Sequence, residues 1–274
     1  MADYHIQPGF ISGAHGDLYK LDVMPIKDMR AQVVYLPPHG EELNRCRSLI
    51  AAQARVFALN GIGCRVVDYF GSGDSDGDFS EGTLDIWQQD LATQVRELKA
   101  ISSVPVYLVG FRLGALLAAS YINDNVEAIK GALFIQPVVQ GKQYVTQLLR
   151  QRMAGQMGTG ATVESTDQMR ESILAGNNLE IGGYEFNSKL LVDLDKLSLT
   201  GNVNLINQEI FWLEFEQNIG KGLSIGSQRA VDGLKDLGNS VETECVFDPP
   251  IWQLHERASA NKNLEFIKRV ALQW

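Results

Sequence analysis

Arg112 occupies a position where chemistry of this kind calls for a nucleophile. The stretch Gly110-Phe111-Arg112-Leu113-Gly114 has the spacing G-x-S-x-G. In that arrangement two glycines permit a sharp strand-to-helix turn that presents the central side chain above a sheet. A serine there attacks a carbonyl carbon. A guanidinium stays protonated, carries donors only and cannot attack. The motif therefore predicts the scaffold of acyl transfer while arguing against ordinary serine hydrolysis.

The remaining parts of such a site are weak in this chain. Glu216 is the carboxylate best placed to act as the acid, and His255 is the only histidine near the C-terminal end. Pro249-Pro250 predicts a helix start before His255, which would set the imidazole about a turn inside that helix. Cys46 follows the His39-Gly40-Glu41 turn and is a candidate displaced nucleophile, although no neighbouring sequence marks it as activated. Arg112 has two open roles. Its planar fork suits a carboxylate or phosphate ligand, and equally an internal pair with Glu41 or Glu42.

These residues need a frame. Residues 4–11 and 17–24 alternate as a solvated hairpin. Apolar runs at 31–36, 63–68, 104–109 and 129–135 then alternate with helical patterns at 47–60, 83–100 and 113–122. Buried strands alternating with helices predict a doubly wound parallel sheet whose ligands lie beyond the strands' carboxyl ends. The alternation stops between about 140 and 202. A basic amphipathic helix at 147–153, a glycine-rich break at 155–160 and helices at 166–175 and 187–196 are expected there. A strand at 209–215, a helix at 226–237, a strand at 241–247 and a terminal helix at 252–270 complete the pattern. The expected organisation is a core of 1–139 and 203–274 with a helical cap at 140–202.

Several stretches carry a resemblance. Leu36-Pro37-Pro38-His39-Gly40-Glu41-Glu42-Leu43-Asn44, Asp68–Phe79, Gly110–Ala115, Gln136-Pro137-Val138-Val139, Thr146–Arg150 and Pro249-Pro250-Ile251-Trp252 are similar to the α/β-hydrolase superfamily. More closely, they resemble the family named exosortase A system-associated hydrolase 2, which also carries arginine at the elbow. The resemblance implies an α/β-hydrolase fold with eight mostly parallel strands, helices on both faces and a helical cap after the sixth strand. It also implies a setting in exopolysaccharide production and exosortase-dependent protein sorting. It supplies no known reaction. The amides at His39-Gly40-Glu41 match the segment that completes an oxyanion hole in active relatives, together with the Leu113 N–H. Helix N-termini of this kind favour anions. The expected ligand-binding set is Arg112, Leu113, His39, Gly40 and Glu41. The expected function is a pseudoenzyme binding a small anionic ligand or a protein partner. The alternative is an atypical ester or thioester hydrolase using a non-standard nucleophile or activated water.

Composition narrows the partners. The chain has 274 residues, 45% of them hydrophobic, and a net charge of −9. It shows no basic stripe with interleaved aromatics, so nucleic acid is not an expected partner. Cys46, Cys64 and Cys245 form neither a metal-spaced pair nor a disulfide framework, which fits a reducing compartment. The first residues, Met1-Ala2-Asp3-Tyr4-His5, do not read as a secretory leader. No apolar run approaches the roughly 20 residues of a membrane span. Asp74–Asp78 resembles a calcium loop, but Phe79 and Asp85 stand where the EF-hand pattern needs glycine and glutamate. A cytoplasmic protein without metal or cofactor is expected.

Overall fold

The computed structural model describes residues 3–159, 162–200, 205–216 and 218–274. The chain runs β1 (Tyr4–Ser12), β2 (Asp17–Pro25), β3 (Ala31–Leu36), α1 (Glu41–Leu59), β4 (Ile62–Val67), α2 (Leu84–Ile101), β5 (Val106–Phe111), α3 (Leu113–Asp124) and β6 (Gly131–Ile135). An insertion follows: α4 (Gly141–Thr159), α5 (Thr166–Leu174), β7 (Leu179–Ile181), β8 (Tyr184–Phe186) and α6 (Ser188–Lys196). Then come β9 (Glu209–Phe215), α7 (Ile225–Asp236), β10 (Ser240–Val246) and α8 (Asn261–Gln273).

Eight strands form one sheet in the order β1-β2-β4-β3-β5-β6-β9-β10. β1 and β2 pair antiparallel, β2 meets β4 antiparallel, and every later pairing is parallel. The reason is in the side chains. β3, β5 and β6 are buried at every position, as expected of strands covered on both faces. One apolar cluster joins the sheet to α1 and α8 through Phe57, Phe266 and Trp274. The other lies against α2 and α3 and continues into the insertion, where Leu149, Met169 and Leu190 join Leu116 and Phe134. This is the α/β-hydrolase fold.

β3 lies between β4 and β5. The winding direction reverses there, and such a switch point opens a crevice at the strands' carboxyl ends. The segments leaving β3 and β5 carry His39–Glu42 and Arg112.

Four local expectations are corrected. Helix α1 starts at Glu41, six residues before the apolar periodicity begins, because Gly40 (φ 61°) turns the chain directly into it. Helix α4 does not break at Gly155. It continues to Thr159, and Cβ atoms at Gly155 or Gly158 would meet nothing, so these glycines serve no turn there. Gly160 lies outside the described residues. The expected helix over 252–270 is only a single 3-10 turn at Ile251–Gln253, followed by bends and then α8. Asp248 fixes that later start by accepting from the Asn263 amide at 2.7 Å. Finally, β7 and β8 form a hairpin absent from the periodicity analysis. Gly182 (φ 60°) and Gly183 (φ 83°) supply its two left-handed turn positions.

The stem of the insertion is tied. Gly141 N–H donates to Leu197 O and Leu199 N–H to Val139 O, at 2.9 and 2.8 Å.

Candidate functional site

The elbow has its expected geometry. Arg112 has φ 56° and ψ −117° and caps α3, a conformation rarely adopted by a residue with a side chain. The neighbouring glycines make it feasible. A Cβ on Gly114 would lie 2.0 Å from Leu36 O, and one on Gly110 would lie 2.3 Å from Ala115 Cα. The strained backbone is pinned to the next strand: Arg112 N–H donates to Ile135 O (3.0 Å), and Arg112 O accepts from Val138 N–H (3.2 Å).

The guanidinium pairs inside the protein, and the partner is Glu42. Arg112 Nε lies 3.2 and 3.3 Å from the two Glu42 carboxylate oxygens, and Nη2 lies 3.0 Å from Oε1. Both side chains are largely covered, at 14% and 22% exposed. Nη1 has one long contact, 3.5 Å to Gln136 O. The Trp252 ring covers one face, its centroid 5.3 Å from the guanidinium carbon. Glu41, one residue earlier, turns to Arg45 instead (3.3 Å). Arg45 in turn donates to Trp252 O at 3.4 Å.

A cavity of about 170 Å³ opens above this pair, where the N-termini of α1 and α3 meet the insertion. Its wall includes His39, Glu42, Arg112, Tyr144, Tyr184 and Phe186. The first amides of both helices have no acceptor within their own helix. Leu113 contributes its backbone to this end, while its side chain is fully buried in the core.

His39 is a caged histidine. It is 3% exposed and stacks on Phe79 at 4.5 Å, with Trp87 at 4.7 Å and Phe186 at 5.6 Å edge-on. Burial lowers its pKa from 6.5 to about 3, and its Nδ1 has no hydrogen-bond partner. It is therefore a neutral imidazole at physiological pH.

The structure does not bring Cys46, Glu216 and His255 together. Cys46 is fully buried on α1. Burial first, then the Glu42 charge, pushes its thiol pKa up, only partly offset by Arg112. Glu216 turns its carboxylate onto the amides of Gly220, Lys221 and Gly222. Its neighbour Glu214 holds Trp212 Nε1 and the Ser224 amide. His255 lies exposed in the bend before α8, not inside a helix. The loop after β10 delivers Trp252 to Arg112 instead of an imidazole. Trp252 and Tyr144 are site residues that the spacing of motifs could not reveal.

Among the described residues no group of three His, Cys, Asp or Glu side chains is placed to hold a metal ion. Asp68 is paired with Arg47 at 3.0 Å and accepts from the Asp74 amide. No described helix is long and apolar enough to cross a membrane.

Comparison with known proteins agrees with this fold. The family model described as serine aminopeptidase, S33, matches residues 27–179. That span contains β3, the Gly40 turn and the elbow, and stops before β9. Est1E from Butyrivibrio proteoclasticus, solved with ferulic acid bound, superposes with a TM-score of 0.69 at 15% identity, covering 97% of this chain and 96% of that one. The Pyrococcus furiosus esterase PF2001 gives a TM-score of 0.64 at 15% identity, with 97% and 89% covered. At such identities the likeness is one of fold. No curated protein matches the sequence.

Proposed function

The chain belongs to the serine aminopeptidase, S33, family of α/β-hydrolase-fold proteins, and on that premise we propose that it uses the hydrolase crevice to bind a small anionic ligand rather than to hydrolyse through a serine. The observation that carries this reading is the half-used guanidinium. Glu42 engages the Nε and Nη2 edge of Arg112, while the Nη1 side keeps only its long contact with Gln136 O. The fork formed by Nη1 and Nη2 remains for an incoming anion, next to two helix N-termini whose free amides and dipoles favour negative charge. Glu42 then acts as the positioning carboxylate that orients the fork.

Calorimetric titration with propionate and with inorganic phosphate tests this reading. The wild type is expected to bind one of them, and Arg112→Ala to lose that binding while keeping a native circular dichroism spectrum. Equal binding by both proteins would overturn it.

A second reading keeps catalysis, an ester or thioester hydrolysis driven by activated water, because family and fold are those of hydrolases. Against it stand the low basicity of His39 and the separation of Cys46, Glu216 and His255. Turnover of a short acyl ester or thioester panel decides between the two.

The resemblance of the elbow and its flanking stretches to exosortase A system-associated hydrolases extends the proposal to a cytoplasmic role in exopolysaccharide production or protein sorting. Deleting the gene in a native host and measuring surface polysaccharide tests that extension.

A further inference from the structure

The cavity above Arg112 is lined by two largely covered polar side chains, Tyr144 and His39. Tyr144 is 4% exposed and lines the cavity from α4. Its hydroxyl makes no hydrogen bond among the described residues. His39 is 3% exposed on the same wall, and its Nδ1 is also unpaired. Both groups are neutral: burial lowers the histidine's pKa to about 3 and raises the tyrosine's. Leu148, Ile181 and Phe186 add apolar surface to the same lining. A polar group left without a partner costs about 1–3 kcal/mol when it is dry, so an unbonded tyrosine hydroxyl on the wall of a small cavity, beside the His39 imidazole, points to a ligand that completes it.

We infer that the ligand of this site is a short carboxylate bearing a hydroxyl or carbonyl oxygen, its carboxylate on the Arg112 fork and its second oxygen at Tyr144 and His39. This inference rests on the anion-binding reading above and adds the ligand's second functional group. Charge selects the carboxylate. Glu42 already cancels the Arg112 charge, and Glu41 lies alongside, so a dianion meets more repulsion than a monoanion. Size selects a short chain, since about 170 Å³ is below the roughly 300–1,000 Å³ of pockets for drug-sized ligands. Neutral Tyr144 and His39 add hydrogen-bonding capacity without adding charge, which suits a hydroxyl or carbonyl rather than an ammonium group.

Matched pairs test the second oxygen. The wild type is titrated with lactate and propionate, and with 3-hydroxybutyrate and butyrate. In at least one pair the oxygenated acid is expected to bind tenfold or more tighter, because a site made for a hydroxyl discriminates strongly against its absence. Tyr144→Phe, which removes one oxygen atom, should bring that ratio close to one. The wild-type comparison needs no variant to fold. Arg112-dependent binding of plain and oxygenated acids with equal affinity in both pairs would overturn the inference and leave the anion site standing. A ratio unchanged by Tyr144→Phe would overturn it as well. Failure of every acid to bind would overturn it, and the anion reading falls with it if inorganic phosphate also fails to bind.

Discussion

Glu42 holds Arg112 by one edge of its guanidinium, with Nη2 3.0 Å from Oε1 and Nε within 3.3 Å of both oxygens. The pair joins the first turn of α1 to the cap position of α3, the two helices whose N-termini face the crevice. It places a fixed cation where active members of such a fold present a hydroxyl.

Removing one partner should cost stability. Arg112→Ala leaves a partly covered Glu42 unpaired. Because both groups keep some contact with solvent, the expected loss is about 1–3 kcal/mol, below that of a fully buried pair. A double-mutant cycle with Glu42→Gln, read by urea denaturation, should give a coupling of about 0.5–2 kcal/mol. Additive single effects would show that the pair contributes no coupling.

Restoring the serine should not restore the enzyme. Arg112→Ser recreates Gly110-x-Ser-x-Gly114, yet the loop after β10 places Trp252 at the elbow, His255 is exposed elsewhere, and His39 is caged. Neither the wild type nor Arg112→Ser is expected to react with a fluorophosphonate probe, as read by intact mass. Stoichiometric labelling of the variant would mean that an imidazole reaches the elbow after all.

Gly114→Ala should be the most damaging small substitution near the site. Its Cβ would lie 2.0 Å from a backbone carbonyl oxygen, which no rotamer change relieves. A loss of about 3 kcal/mol or more, or failure to fold, is expected. Gly155→Ala, on an open helix surface, should gain up to about 1 kcal/mol. Thermal melting of the two variants reads both effects.

His39 should make stability pH-dependent. Its pKa is near 6.5 in the unfolded chain and about 3 in the fold. Below 6.5 the unfolded chain takes up a proton that the fold refuses. The contribution is therefore complete above pH 6.5 and declines as the pH falls toward 3, by at most about 1.4 kcal/mol per pH unit. In urea denaturation at pH 7, 6, 5 and 4, His39→Phe should show a shallower decline than the wild type. Parallel curves would mean that the imidazole protonates within the fold.

Much of this was legible in the sequence because burial leaves a simple trace. Strands covered on both faces read as apolar runs, and 31–36 and 209–215 match β3 and β9 residue for residue. The elbow was legible because its glycines are required by close backbone approach. What stayed illegible depends on direction and distance. Glu41 and Glu42 are adjacent, but on a helix their side chains diverge by about 100°, and only one can meet Arg112. Trp252 reaches Arg112 from the far end of the chain, so no local pattern announces it. The helix over 252–270 failed because Asp248, a single carboxylate, sets where α8 begins. Tyr144 lies ahead of the helix expected at 147–153, so the sequence pattern did not single it out, and only the cavity beside it gives its hydroxyl a meaning.

The shared packing of Leu149, Met169 and Leu190 with Leu116 and Phe134 bears on how anything gets in. A lid that swings on a hinge needs an interior of its own, or its opening tears a greasy seam. Among the described residues between β6 and β9, the buried apolar side chains all belong to the cluster shared with α2 and α3. Gln147 and Gln253, both exposed, line the crevice beside Arg112, and heating should melt roof and walls in one cooperative step.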